Sequence, residues 1–174
     1  IKTIIDLRNP ENDDPYVNPI FNDAGVKYMS LPLSGYSEIF SKRGYGDETR
    51  ALLKRILSFF ADKNNYPILV CSSKGTDRAG TFSAILEALL GLDQSNIYKE
   101  YQLSWFFEFN PPENDTRFTL FHDFYIYLKK AKFNGNSTAL PTLAENTEAF
   151  LLQIGMSQKE IDLIRSILLE ESAQ

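Results

Sequence analysis

Hydrophobic residues follow two patterns along the chain: short apolar runs, and longer stretches in which they recur with the period of a helix. The apolar runs cover residues 4–7, 26–31 and 66–71, and each predicts a strand. The third run is nearly continuous in apolar residues, which is typical of a strand buried on both faces. Polar segments that contain proline or glycine, at residues 9–19 and 34–46, predict loops between these strands.

Helical periods dominate the rest of the chain. Asp47 is placed to cap a first helix, which carries apolar residues at positions 52, 53, 56, 57 and 60. A second helix is predicted to begin near Arg78 and to stop at Gly91. Its apolar stripe consists of Phe82, Ile85, Leu86, Leu89 and Leu90. Further helices are predicted around residues 96–107 and 117–130.

Two capping boxes predict a pair of helices near the C-terminus. Thr142 precedes Glu145 by three positions, and Ser157 precedes Glu160 in the same way. Gly155 lies between the two boxes and is expected to end the first of these helices. The whole pattern predicts an α/β fold: a small, central, mainly parallel sheet flanked by helices, with a helical C-terminal half.

Length and composition limit what such a fold can do. The 174 residues suit one domain over 1–174, with the helical pair at 138–174 packed on it. Ile1 opens directly on a strand-like run, so we expect a segment upstream of it. The net charge of −5 argues against a nucleic-acid partner, and no apolar run is long enough to predict a transmembrane segment. The sequence leaves the oligomeric state open.

The content of cysteine and histidine adds two expectations. One cysteine, Cys71, cannot form an internal disulfide, which fits a reducing compartment, and we expect a cytoplasmic protein. Cys71 and the single histidine, His122, are too few ligands for a zinc site. We therefore expect neither a metal nor an organic cofactor.

The candidate chemistry lies in the small, polar loop at residues 72–78, between the third strand and the second helix. Backbone amides of such a loop, together with the positive end of the helix dipole, favour an anion. Gly75 permits a backbone turn that a side chain would obstruct, and Arg78 offers a planar fork of donors to two phosphate oxygens. A residue six positions before Arg78 would lie at the base of this cradle, where a nucleophile could attack phosphorus in line.

The segment CSSKGTDRAG at residues 71–80 resembles the signature His-Cys-x-x-Gly-Lys-Asp-Arg-Thr-Gly of the atypical tyrosine/serine and lipid phosphatases in the protein-tyrosine-phosphatase superfamily. The resemblance extends to the first and third apolar runs, to residues 98–104 and to the C-terminal helix pair. It implies a tyrosine-phosphatase-like fold, a nucleophile position at Ser72, and a catalytic arginine, Arg78. It also implies a phosphate-binding loop made of Ser73, Lys74, Gly75, Thr76, Asp77 and Arg78.

The chain departs from that signature at four positions. Ser72 stands where the family has its nucleophilic cysteine, and Cys71 falls on the usual histidine. Thr76 replaces a common lysine, although Lys74 supplies a charge nearby. Ala79 replaces a hydroxyl residue that supports the leaving thiolate in this superfamily. An alcohol ionises far less readily than a thiol, so with Ser72 the chain is expected to bind phosphate and to turn over very slowly.

Two functions from different classes follow. The first is a phosphoric monoester hydrolase that acts through a cysteinyl-phosphate intermediate and is inactivated here by an engineered cysteine-to-serine change at position 72. The second is a natural pseudophosphatase, which binds phosphorylated ligands without turnover. Phosphoprotein with phosphotyrosine or phosphoserine, a phosphoinositide and an inositol phosphate all stay open as partners.

Other polar residues carry less specific signals. Asp77 is a candidate general acid, although a carboxylate in the first turn of a helix also favours the helix dipole. Asp6 and Arg8 are expected to form a structural ion pair at the end of the first strand. His122 is expected to be a core or edge histidine. The remaining candidates are an aromatic cluster expected in the core (Trp105, Phe106, Phe107, Phe109), a solvated loop pair (Lys42, Arg43) and Glu38, an alternative acid.

Overall fold

A computed structural model describes residues 1–9, 25–33, 46–103, 116–130 and 141–169. In these ranges the strands are β1 (Thr3–Asp6), β2 (Lys27–Ser30) and β3 (Ile68–Cys71). The helices are α1 (Gly46–Phe60), α2 (Arg78–Leu89), α3 (Gln94–Leu103), α4 (Thr116–Lys130), α5 (Leu143–Gln153) and α6 (Gln158–Leu168). A short 3₁₀ helix covers Lys63–Asn65.

The described strands form one parallel sheet in the order β2-β1-β3. Asp6, the last residue of β1, is in register with Ser30 of β2 and with Cys71 of β3. The carboxyl ends of all three strands therefore meet at one edge of the sheet, which is where ligand sites of open α/β sheets tend to lie. The predicted parallel sheet and α/β fold are confirmed.

The third strand differs from its prediction. Within the described sheet β3 is an edge strand, and Leu69 is 41% exposed. The prediction that this run is buried on both faces is therefore wrong. An apolar run alone does not show whether a strand is central or peripheral, because that depends on where distant strands pair.

Helix α2 carries a wide buried face. Phe82, Ile85 and Leu89 of the predicted stripe are buried, and so are Ala84 and Ala88. Helix α2 packs against α5 and α3, and α5 in turn packs against α4 and α6. Residues of β1 and of these helices share one continuous apolar core, so the sheet edge and the first turn of α2 are fixed relative to each other.

Helix ends follow the predicted signals with one exception. Both capping boxes form as predicted, at the N-termini of α5 and α6. Gly91 and Gly155 follow their helices with φ values of 87° and 94°, in the left-handed region that favours glycine. Helix α1 begins at Gly46, however, so Asp47 lies within the first turn and does not cap the helix. Its negative charge there is favourable to the helix dipole.

Several predicted features lie outside the described residues. These are most of the two loops, the aromatic cluster and the loop residues Glu38, Lys42 and Arg43. Of the helices that the structure describes, none combines the length and the apolar character needed to cross a membrane.

Candidate active site

The predicted phosphate loop connects β3 to α2 at the carboxyl edge of the sheet. It lines a cavity of about 330 Å³. The lining residues are Ser72, Ser73, Lys74, Thr76, Asp77 and Arg78. Every residue that the sequence assigned to the site, apart from Gly75, therefore borders one open space.

Gly75 shapes the loop from within. Its φ of 76° is in the left-handed region, where a side chain would be strained. In this conformation the Gly75 amide donates a hydrogen bond of 3.2 Å to Oγ of Ser72. An anionic atom at the position of that oxygen would accept the same bond and would be stabilised by it.

Cys71, which the resemblance places on the family's usual histidine, lies outside the cavity lining. It ends β3 beside Asp6, its register partner in β1. Burial and the neighbouring Asp6 carboxylate raise the pKa of the Cys71 thiol. Since a thiolate is the reactive form of cysteine, this environment disfavours reaction at Cys71.

Arg78 is the first residue of α2, and its side chain lies across the loop. One terminal nitrogen, Nη1, donates to the backbone carbonyl of Leu7 at 3.3 Å, and the other, Nη2, donates to Oγ of Ser73 at 3.0 Å. These contacts join the arginine to the end of β1 on one side and to the loop on the other. The guanidinium plane is thereby oriented in a site where planar, two-point recognition of phosphate oxygens is possible.

Asp77 immediately precedes α2 and borders the cavity. Its side chain makes no capping hydrogen bond to the helix, although its backbone carbonyl accepts from N and Oγ1 of Thr81, at 2.8 and 2.7 Å. Among the described residues that line the cavity, Asp77 is the only acid. A capping hydrogen bond to α2 therefore does not explain why an aspartate occupies this position.

An ion pair between Asp6 and Arg8, predicted from the sequence, is confirmed at 2.6 Å. Sequence reasoning missed its third member, Tyr28, whose hydroxyl donates to Oδ2 of Asp6 at 2.6 Å. Burial raises the pKa of Tyr28 to about 12, and the bond to Asp6 acts in the same direction, so the phenol remains a donor. The only signal for this contact was that both residues lie in runs predicted to be strands.

His122 lies on α4, where it contacts Tyr98 of α3. The side chain is exposed, and Nδ1 forms a hydrogen bond with the Tyr98 hydroxyl, while the Tyr98 ring packs edge-on against Phe121 and Tyr125. The prediction of a core or edge histidine is confirmed, as an edge residue. Its side chain does not border the cavity described above.

Gly80, in the first turn of α2, allows close packing behind the loop. A Cβ atom at this position would lie 2.8 Å from Cε2 of Tyr101. Tyr101 is 1% exposed and stacks on Phe121 with ring centroids 3.6 Å apart, so its ring has little room to move. No pattern in the sequence pointed directly to this contact between α2 and α3.

Gly80→Ala is expected to destabilise the protein by roughly 1–3 kcal/mol, because the added methyl overpacks a close contact. The sign of the stability change tests the contact, because alanine in a helix is otherwise favoured over glycine by about 1 kcal/mol. Urea unfolding measures the change. In a Tyr101→Leu background the penalty should shrink, because the ring that collides with the methyl group is gone. A stabilised Gly80→Ala protein would show that this contact does not hold.

The parallel sheet and the loop that follows β3 are the architecture that the family resemblance implies, and comparison with known proteins agrees. The sequence profile described as "Tyrosine phosphatase family" matches residues 1–170. The chain belongs to the tyrosine phosphatase family. This confirms the resemblance seen in residues 71–80.

Individual relatives agree with the family. The chain is 27% identical over 103 residues to a protein of Meyerozyma guilliermondii named "Putative tyrosine-protein phosphatase OCA1", covering 59% of this chain and 55% of that protein. It is also 27% identical over 104 residues to the protein of the same name from Debaryomyces hansenii, covering 59% and 52%. The match thus spans about half the length of these relatives.

Proposed function

We propose that the chain is the phosphatase domain of a cysteine-dependent phosphoric monoester hydrolase, held inactive by Ser72 at the nucleophile position. Its substrate is a phosphoprotein, with phosphate on tyrosine or serine, or a phosphoinositide or inositol phosphate. The names of its relatives favour phosphotyrosine in a protein. The substrates share a phosphate monoester, which is the group that the loop is built to hold.

One observation carries this proposal: the side chains of Ser72 and Arg78 border one cavity, between the carboxyl end of a strand and the start of a helix. The backbone amides of a tight loop, a helix N-terminus and a guanidinium fork are three features that each favour a bound phosphate. The cavity lies directly beside Oγ of Ser72, which already accepts the Gly75 amide. A nucleophile at this atom would thus be close to a phosphorus atom held by Arg78.

With a thiolate in place of the Ser72 hydroxyl, the reaction has two steps: formation of a phosphocysteine and its hydrolysis. The sulfur attacks phosphorus, the P–O bond of the ester breaks, and the leaving oxygen takes a proton from Asp77. Water then attacks the phosphocysteine and gives its proton to the Asp77 carboxylate. The S–P bond breaks, which regenerates the thiolate and releases inorganic phosphate. Arg78 and the loop amides stabilise the charge on the phosphoryl oxygens in both steps.

Position 72 itself supports a second candidate function, a natural pseudophosphatase that binds phosphorylated ligands. The serine hydroxyl needs a base for activation, and the described residues that line the cavity include no histidine. Ala79 also lacks the hydroxyl that the family uses to support its thiolate. The two candidates differ in one observable: only the first requires that cysteine occupy position 72 in the natural gene.

Both candidates require phosphate binding at the loop, and Arg78→Ala is expected to abolish it. Charge-assisted hydrogen bonds contribute roughly 1.5–3 kcal/mol each, so losing a two-point contact should weaken phosphate binding by about 10²-fold or more. Isothermal titration of the Ser72 chain with inorganic phosphate measures this directly.

A matched control is Arg55→Ala, which removes the same charge from an exposed position of α1. Its phosphate affinity should equal that of the parent chain. Equal affinity in the parent and the Arg78→Ala protein would exclude the loop as the anion site.

A further inference from the structure

Asp6 lies outside the cavity lining but forms a dense network at the edge of the sheet beside it. The side chain is almost fully buried, and its two oxygens accept from the Arg8 amide at 3.0 Å, from Arg8 Nε at 2.9 Å and from Arg8 Nη2 at 2.6 Å. Tyr28 adds its hydroxyl. Burial by itself would raise the pKa of Asp6, but the hydrogen bonds from Arg8 and Tyr28 outweigh burial and lower it. Asp6 is thus ionised, and both of its carboxylate oxygens accept hydrogen bonds.

The network encloses Leu7. The bond from the Arg8 amide to Oδ1 of Asp6 closes a tight side-chain turn around this residue. On the other side the Leu7 amide donates to the Cys71 carbonyl at 2.8 Å, and the Leu7 side chain is fully buried. The backbone of Leu7 is therefore restrained on both flanks, and the direction of its carbonyl group is fixed.

That carbonyl group is the acceptor of Nη1 of Arg78. The Leu7 carbonyl, held by the Asp6 turn, accepts from one terminal nitrogen of the guanidinium, and Ser73 Oγ accepts from the other. The plane of the fork, and hence its alignment with two phosphate oxygens, depends on where Leu7 points its carbonyl. Planar two-point recognition tolerates little misplacement, and a shift of about 1 Å can cost roughly 10²-fold in rate.

We infer that Asp6 is a positioning residue for the phosphate site: through its turn with Arg8 and Tyr28 it aims the Leu7 carbonyl, which orients the guanidinium of Arg78. This role rests on the proposed phosphatase function. In it the Asp6–Arg8 pair both stabilises the end of β1 and orients Arg78.

The test is a double-mutant cycle in the Ser72→Cys protein, read as kcat/KM on an aryl phosphate. Asp6→Asn keeps the shape of the side chain but removes its charge and the acceptor for part of the Arg8 fork. We expect it to lower kcat/KM by about 10- to 10²-fold when Arg78 is present. In an Arg78→Lys background the same change should cost less than about twofold, because the planar fork that Asp6 helps to aim has been removed.

Glu148→Gln is the matched control, since it removes the carboxylate partner of another arginine, Arg165, in the contact between α5 and α6. It should alter the unfolding free energy and leave kcat/KM within about twofold. Tyr28→Phe is a milder probe that removes only one donor to Asp6, and it is used if Asp6→Asn does not fold. Its expected loss is roughly threefold with Arg78 and none with Arg78→Lys.

Equal losses in the two backgrounds, or no loss in either, would overturn the positioning role while leaving the phosphatase proposal intact. If the Ser72→Cys parent shows no turnover and the Ser72 chain binds no phosphate, the proposed function fails, and the positioning role fails with it. Loss of activity that depends on Arg78 supports both.

Discussion

Ser72→Cys is expected to give a protein that hydrolyses an aryl phosphate without added metal, on the order of 10⁴-fold or more faster than the Ser72 chain. Loss of a nucleophile in a hydrolase costs about 10⁶-fold, so its restoration should have a large effect. The Gly75 amide, the N-terminus of α2 and Arg78 are all placed to lower the pKa of the introduced thiol below its usual value of about 8.5. Release of p-nitrophenol, followed spectroscopically, measures turnover.

The controls separate the introduced thiol from the native one. Ser72→Ala should be as inactive as the parent chain, and adding Cys71→Ser to the Ser72→Cys protein should leave most of its activity. A folded Ser72→Cys protein that hydrolyses no aryl, lipid or inositol phosphate would contradict the enzyme proposal. It would favour the pseudophosphatase.

In the Ser72→Cys background, Asp77→Asn is expected to slow hydrolysis of an alkyl phosphate by roughly 10²–10⁴-fold, the usual contribution of a general acid. The effect on p-nitrophenyl phosphate should be much smaller, because that phenoxide leaves without protonation. Asp77 borders the cavity and is the only acid among the described residues that line it, so it is the first acid to test. The measured quantity is the ratio of kcat values for the two substrates.

Equal slowing of both substrates would mean that Asp77 shapes the loop or the helix start and does not transfer a proton. Glu38 or Asp47 would then be the next acid to test. Asp162→Asn serves as a control, since Asp162 is an exposed residue of α6 that does not border the cavity. It should leave both rates unchanged.

Local signals in the sequence were sufficient to predict most of the described helices and strands. The capping boxes at Thr142 and Ser157, and the glycines at 91 and 155, act through bonds within one turn of the chain. Such features can be identified without knowledge of the tertiary structure. The exposed edge position of β3 could not be predicted, because strand order depends on pairing between segments that are far apart in sequence.

The distinction between local and long-range contacts also applies to the candidate active site. The loop at residues 72–78 is contiguous, so its residue types and spacing predicted one anion site with Ser72 and Arg78 in it. The contacts that orient the site are not contiguous: the Leu7 carbonyl is 71 residues from Arg78, and the Tyr28 hydroxyl is 22 residues from Asp6. Tyr101, behind Gly80, is missed for the same reason. These partners emerge only when the strands and helices are assembled.

We expect a phosphoryl group to become attached at position 72 and not at Cys71. The most direct measurement is acid quenching of the Ser72→Cys protein during turnover of an aryl phosphate, followed by peptide mass spectrometry. A phosphoryl group on the introduced cysteine at position 72, absent when Arg78→Ala is added, is the predicted result. A phosphoryl group on Cys71, or none on either cysteine while turnover proceeds, would contradict it.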